Sequence, residues 1–560
     1  VKIPKDMLER KLLYEELVRQ CTASRNDRFQ VYQTLRNYYL FGSMDANGAP
    51  YNKIASTVET LSSFIYSPDT LKFSLHLGTE ASNDEVYKAV PLATEVTEQW
   101  RASKTHIVFG IGLRWSLVYG MMLMKILWNE KRVRSYLVEP HQFGVLREDI
   151  MELADQEAFT HHYTMTRTQL HSHLEGNPRR DSIMARVGRS DQDTLPPLSS
   201  GLSRLLIGSP VGGVPGSLAI PGQMSSFQTG MGRGPSYDYA PKVEADLIDF
   251  CDLYVWDDEE RDYQVVTRAA PDVIVYDRPS HTMGHVQGIA PFVPIRPEFN
   301  AYDYFWGNAF VAKLTFLQDW RSERVFQIKH LLSKQFDPPM SMTGGVGIAE
   351  EKFLAFGSAR GRLSMPTPSA KIQVHEPQMP SDVFAEISQI DAMFDDQAGL
   401  GHVLQGKGEP GVRSKGQADL MARLGSARPR ERALAIEESL EDAAGNILRQ
   451  VQDHSDQRFQ YSVPAEKTPR TFIAEQFTRD YEVQVDGHSA SPIFIEDEKH
   501  DAVTLLEAHA IDRETYLEMF HPSNLQVLKE KLKVIEEQEL KAKQLELQAG
   551  IAPKAGGKKK

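Results

Sequence analysis

The stretch GLGHVLQGKGEPGVRSKGQ, residues 399–417, comes closest to a chemical motif in this chain. Gly401, Gly406 and Lys407 match the phosphate-cradling loop G-x-x-x-x-G-K-[ST], but position 408 is glycine instead of a hydroxyl residue. That loop also needs a strand before it, so that backbone N–H groups and a helix N-terminus converge on phosphate. Here SQIDAMFDDQAGLG comes first, helical in pattern and acidic. The stretch therefore reads as a flexible loop, because Gly401, Gly406, Gly408, Pro410, Gly411 and Gly416 break regular structure. Lys407, Arg413 and Lys415 against Glu409 leave it locally basic.

Other candidates for chemistry give way to plainer readings. His161, His162, His171 and His173 have no metal-ligand spacing and no cysteine nearby, so they read as partly exposed polar positions. HSASP, with Asp486 just before it, reads as a turn leaving a strand and not as a nucleophilic triad. Arg423, Arg428, Arg430 and Arg432 could contact phosphate. Glu431, Glu437, Glu438, Glu441 and Asp442 follow at once, so ion pairs on a helix or between subunits fit equally well. The expectation is no catalytic residue, no metal and no cofactor.

The chain has 560 residues, 41% of them hydrophobic, and a net charge of −13, so its surface as a whole repels nucleic acid. Contact with DNA would have to be local, weak or transient. Two cysteines, Cys21 and Cys251, make no disulfide framework and suit a reducing compartment. The opening VKIPKDMLERK is charged and helical, so no signal peptide is expected. The apolar run from Ile107 to Trp128 contains Arg114 and Lys125, each costly at mid-bilayer. It reads as a helix to about Tyr119, a break at Gly120, and a hairpin of MMLMKILW and VRSYLVEP joined at NEKR.

Residues 4–41 form a long amphipathic helical region, and AFTHHYTMTRTQLHSHLE a strand followed by a short helix. No acidic residue occurs between Asp193 and Asp238, a Gly-, Pro- and Ser-rich insertion that cannot pack alone. YVW and YQVVT flank the acidic turn DDEERD as an antiparallel pair with an exposed tip. From 303 to 335 a helix is expected, with Phe310, Leu314, Leu317, Val325, Ile328 and Leu332 on one face and Arg321 on the same stripe. FDPPMSMTGG ends it, and KFLAF and KIQVH suggest a small β module. Ser381 restarts a helix, with Val383, Ile387, Ile390 and Phe394 on one face and Glu386, Asp391, Asp395 and Asp396 elsewhere. After the loop a helix runs from about Gln417 toward Asp453, bent near Gly425 and Pro429. FQYSVPAEK and YEVQVDGHS are strands, and terminal helices lead to the basic tail PKAGGKKK. The class is α+β, mainly α, and the absence of a βαβ repeat counts against a nucleotide enzyme.

In order and in residues the chain resembles the portal, or head–tail connector, proteins of tailed bacteriophages, of podovirus type. SLVYGMMLMKILWNEKRVRSYLVEPHQFGV resembles the family's wing segment, APFVPIRPEFNAYDYFWGNAF its lead-in to the first stem helix, and YEVQVDGHSASPIFIED its approach to the crown. The resemblance implies a wing over 1–302, with an insertion at about 194–241, and a first stem helix over 303–336. A clip would span 337–378, a second stem helix 379–398 and a tunnel loop 399–416. The long helix and wing return would occupy 417–495, a helical crown 496–550 and a basic tail 551–560. It implies a non-enzymatic ring of twelve around a double-stranded DNA channel at one capsid vertex of the virion, assembled in the host cytoplasm. DNA would be packaged and ejected through that channel without sequence readout. Implied partners are the terminase large subunit, then a tail adaptor at the clip, and capsid or scaffolding protein at the wing, with no membrane. Gln405, Lys407, Arg413 and Lys415 would touch passing phosphates, while Glu386, Asp391, Asp395 and Asp396, repeated around the ring, would give an acidic channel that does not hold DNA. The alternatives are a nucleotide-dependent packaging enzyme using the Gly401–Gly408 loop, or another virion protein such as a tail adaptor.

Overall fold

A computed structural model describes residues 3–43, 51–68, 71–77, 83–129, 132–175, 177–187, 247–270, 273–298, 304–336, 340–343, 371–374, 382–399, 427–461, 470–477 and 481–485, with scattered positions between 502 and 541. The insertion, the KFLAF segment, the loop, HSASP and the basic tail lie outside them. The fold is α+β, as expected.

Helix α1 (Met7–Phe41) begins where the Asp6 carboxylate accepts the Glu9 N–H, and ends at Gly42 with φ of 68°. After α2 (Lys53–Ile65), β1 (Phe73–His76) and α3 (Asn83–Ala102) comes α4 (Thr105–Tyr119). Gly120, with φ of 94°, breaks α4 as expected, and β2 (Met122–Asn129) pairs antiparallel with β3 (Arg132–Val138). No helix among the described residues is long and apolar enough to cross a membrane. Of the two charges in that apolar run, Arg114 is exposed. Lys125 is inside, 3.8 Å from Asp252 and over the Phe292 ring.

A five-stranded antiparallel sheet follows: β4 (Phe143–Val145), β5 (Ala158–Thr166), β6 (Leu247–Asp257), β7 (Asp262–Ala269) and β8 (Val273–Pro279), in that order. Between β5 and β6, α5 (Arg167–His173) and α6 (Arg180–Arg186) set Leu170, Leu174 and Ile183 against Ile248 and Phe250. The acidic turn between β6 and β7 exposes Asp258, Glu259 and Glu260, but Asp262 turns inward. Its carboxylate accepts the Ser280 hydroxyl at 2.7 Å and the Gly288 N–H at 3.0 Å. Among the histidines, His171 and His173 are exposed and His162 is half-buried, as expected of partly exposed positions, while His161 is buried because the rings of Tyr163 and Phe292 pack against it. Burial first, then the nearby Lys125, keep its ring well below the usual histidine range. No metal-ligating cluster occurs among the described residues, and both cysteines are free thiols.

Strand β9 (Phe292–Ile295) joins the other edge of β2 to make the sheet β3-β2-β9. Helix α7 spans Thr315–Phe336, shorter than the helix expected from 303. The chain then makes β10 (Met340–Thr343), where the sequence shows only a helix stop, paired with β11 (Lys371–Val374). Helix α8 spans Asp382–Ala398 and α9 spans Ala427–His454. Strand β12 (Arg458–Tyr461) pairs with β13 (Arg470–Ile473), and β14 (Glu482–Val485) returns to pair with β1. The main core joins both halves: Leu35, Val58, Leu92, Phe109 and Ile126 share it with Phe310, Phe394, Ile436, Leu440 and Ile447.

Candidate functional site

The segment 304–314, expected as the first helical turns, is a tether between two cores. Phe305 and Trp306 pack among Phe143, Phe159 and Tyr263, whereas Phe310 and Leu314 enter the main core. One α-helix from 303 does not satisfy both, so the chain is irregular up to Phe310, makes a short 3-10 turn over Val311–Lys313 and becomes α-helical only at Thr315. Glu148 pins the tether by accepting the Trp306 indole N–H at 3.0 Å, the Tyr304 hydroxyl at 3.2 Å and the Ser24 hydroxyl at 2.6 Å. Arg28 of α1 donates to the same carboxylate at 3.2 Å and lies over the Tyr304 and Trp306 rings at 4.8 and 5.2 Å. Where the tether crosses the end of α4, two glycines meet. A methyl group on Gly120 would come within 2.3 Å of the Gly307 carbonyl oxygen, and one on Gly307 equally close to that of Gly120.

Beyond the tether, α7 and α8 run antiparallel: Arg321 meets Asp391, while Arg324, further along α7, meets Glu386, earlier on α8. The first pair is at 2.8 Å and the second at 2.9 Å, with the Trp320 indole N–H also on Glu386 at 3.1 Å. Arg321 therefore sits on the inner stripe because a carboxylate and the face of Tyr51, 4.5 Å away, receive it. Asp395 is buried beside Lys53 at 3.5 Å. Asp396 is exposed, with no ion pair among the described residues. The four carboxylates expected to line a channel are thus unequal. Three face cations of their own chain, which cancels much of their field; Glu386 and Asp391 remain partly exposed, and Asp396 is the most open to solvent.

The apolar stripe of α7 changes character along its length. Phe310, Leu314 and Leu317 are buried, Val325 and Ile328 half-buried, and Leu332 exposed. Phe316 is 73% exposed, Phe326 65% and, on α8, Phe384 57%, so the outer parts of both helices present large apolar groups uncovered within one chain.

Gln405, Lys407, Arg413 and Lys415 fall outside the described residues, but the two ends of their segment are defined. Helix α8 stops at Gly399, whose φ of 72° is the left-handed cap that favours glycine. The first turn of α9 then returns to the same spot. Arg428 donates to the Asp396 carbonyl at 2.7 Å, and Arg432 to the Ala398 carbonyl at 3.2 Å. These cations meet the negative end of the α8 dipole, an arrangement of about 0.3–1 kcal/mol for an exposed group. Arg432 also reaches Glu298 at 3.6 Å and covers the Phe310 ring. Two arginines that suited phosphate contact or ion pairing in the sequence thus clasp the base of the basic loop. Sequence spacing could not show this, because their acceptors are backbone carbonyls some thirty positions earlier.

No protein-family model and no curated protein matches this chain. Among solved structures, one from the virion of a native gene transfer agent particle aligns with 10% identity and a TM-score of 0.37, covering 85% of this chain and 96% of that one. Another, from the neck of an empty gene transfer agent particle computed with C6 symmetry, aligns with 10% identity and a TM-score of 0.39 over the same shares. At TM-scores this low the likenesses carry no argument about the fold or function of this chain.

Proposed function

We propose that this chain is a portal-type subunit of a phage-like particle, whose copies form a ring around a passage for double-stranded DNA. The observation that carries the reading is the antiparallel α7–α8 pair, joined through β10 and β11 at one end and clasped to α9 at the other. That clasp holds both ends of a glycine-rich basic segment at one fixed point. A rigid base with adaptable, locally basic chain suits transient contact with a moving phosphate backbone. A net charge of −13 opposes tight binding elsewhere on the surface.

The uncovered Phe316, Phe326 and Phe384 support assembly, since a neighbouring copy would remove them from water at about 25 cal/mol per Å² of apolar surface. In this reading Lys407, Arg413 and Lys415, with Gln405, meet the DNA backbone, and Asp396, with the partly exposed Glu386 and Asp391, supplies the acidic lining of α8. The 337–378 segment would dock the terminase large subunit and later a tail adaptor, and the wing would meet capsid or scaffolding protein. The complex would work within the virion without chemistry of its own. Electron microscopy of the purified protein tests the reading: rings with a central channel are expected, and single chains at every concentration would defeat it.

A further inference from the structure

Helix α9 carries an outward stripe of Leu434, Glu438 and Asp442, all exposed in the single chain. Glu152, from the turn before β5, faces the same place, and Arg296, just after β9, forms its floor. Arg296 is only 4% exposed, and its Nη1 has no hydrogen-bond acceptor; the nearest carboxylate, Glu152, is 3.8 Å away. Its Nη2 is committed to the Met151 carbonyl at 2.9 Å, and nearby Glu441 accepts the Val485 N–H at 3.0 Å. Glu152, Glu438 and Asp442 thus share one incompletely bonded cation, leaving the notch negative. Asp442 is exposed beside Glu438 and Glu152, above the buried Arg296. Burial first, then Glu152 and Glu438, raise its carboxyl to about 6.

Elsewhere in the fold, β3 is an edge strand of its sheet among the described residues, and Arg132, Arg134 and Tyr136 project from one side of it. All three are exposed, and no ion pair to either arginine occurs among the described residues. Residues four apart on a helix rise about 6 Å, and residues two apart on a strand about 6.6 Å. An apolar–acid–acid row on α9 and an aromatic–base–base row on β3 therefore have matching spacing as well as opposite charge.

We propose that the Leu434–Glu438–Asp442 notch of one subunit receives the Tyr136–Arg134–Arg132 row of a second copy. Because the two surfaces differ, the contact is head-to-tail, the kind that closes into a ring or continues into a filament. The inference rests on the oligomeric part of the proposed function and assigns it a specific surface.

Charge reversal with mixing tests it, using the full chain. Arg132→Glu/Arg134→Glu and Glu438→Arg/Asp442→Arg should each raise the apparent dissociation constant of assembly at least tenfold, read by mass photometry. An equimolar mixture should recover near-native assembly, because each altered surface then meets its complement. Recovery also shows that both variants are folded, as does an unchanged far-ultraviolet dichroism spectrum. If the native chain assembles and either reversal leaves assembly unchanged, or the mixture fails to recover, this contact is overturned while the proposed function stands. If the native chain never assembles, both fall.

Discussion

Replacing Glu148 should loosen the tether that carries α7. Its carboxylate accepts from Ser24, Arg28, Tyr304 and Trp306, joining α1 to the segment leading into α7. A hydrogen bond to a charged group contributes about 1.5–3 kcal/mol net, but the bonds of one network do not add. The Glu148 side chain is 33% exposed and that of Arg28 23%, so water replaces part of what is lost. Glu148→Ala should therefore cost about 2–3 kcal/mol, and Glu148→Gln, which keeps an acceptor, about 1 kcal/mol. Urea unfolding followed by tryptophan emission reads the loss as a lower midpoint at unchanged slope. Hydrogen exchange should quicken over 304–314. Combined with Arg28→Ala, the cycle should show coupling of about 1 kcal/mol or more. The reasoning is refuted if both Glu148 variants stay within about 0.5 kcal/mol of native and exchange over 304–314 is unchanged.

Three further outcomes are expected. Gly120→Ala should destabilise by about 3 kcal/mol or more, measured by thermal unfolding, since the methyl meets the Gly307 carbonyl and the residue holds a positive φ. Asp442 has a folded pKa raised to about 6 above an ordinary 3.8, so the native state binds the extra proton between these values. In the single chain its contribution falls as pH rises from about 4 to 6 and stays low above. Asp442→Asn should then stabilise the dissociated chain by about 1 kcal/mol at pH 7 and by much less at pH 4, in paired urea titrations, after allowing for solvent screening. Replacing Lys407, Arg413 and Lys415 with Gln should leave rings intact and lower DNA packaging or retention. Phosphate release from a nucleotide that Lys407→Ala abolishes would instead favour the enzyme alternative.

Local signals in the sequence were read well where one segment decides its own structure. Gly120 ends a helix, the β2–β3 hairpin turns at two residues, and α8 keeps Ile390 and Phe394 on a single inner face. Readings failed where distant chain decides. Phe310 and Leu314 have helical spacing, yet Phe305 and Trp306 just before them belong to a second core, and the α-helix starts only at Thr315. Strands β14 and β11 show in the sequence, but their partners β1 and β10 do not, because pairings such as Phe73 with Val485 reach far along the chain. His161 reads as a partly exposed polar position because alternation cannot show that Phe292, far along the chain, packs on its ring. For the site, the sequence displayed the acidic residues of α8 but not their partners. Arg321, Arg324 and Lys53 are remote in the chain, and they turn three of four bare charges into ion pairs. The arginine clasp was equally hidden, since backbone carbonyls leave no mark in the amino-acid pattern.

Averaged end-on images of the purified chain by electron microscopy test the central claim most directly. The account predicts closed rings of one subunit size around an open channel wide enough for duplex DNA. A homogeneous population of single chains across the accessible concentration range would contradict it.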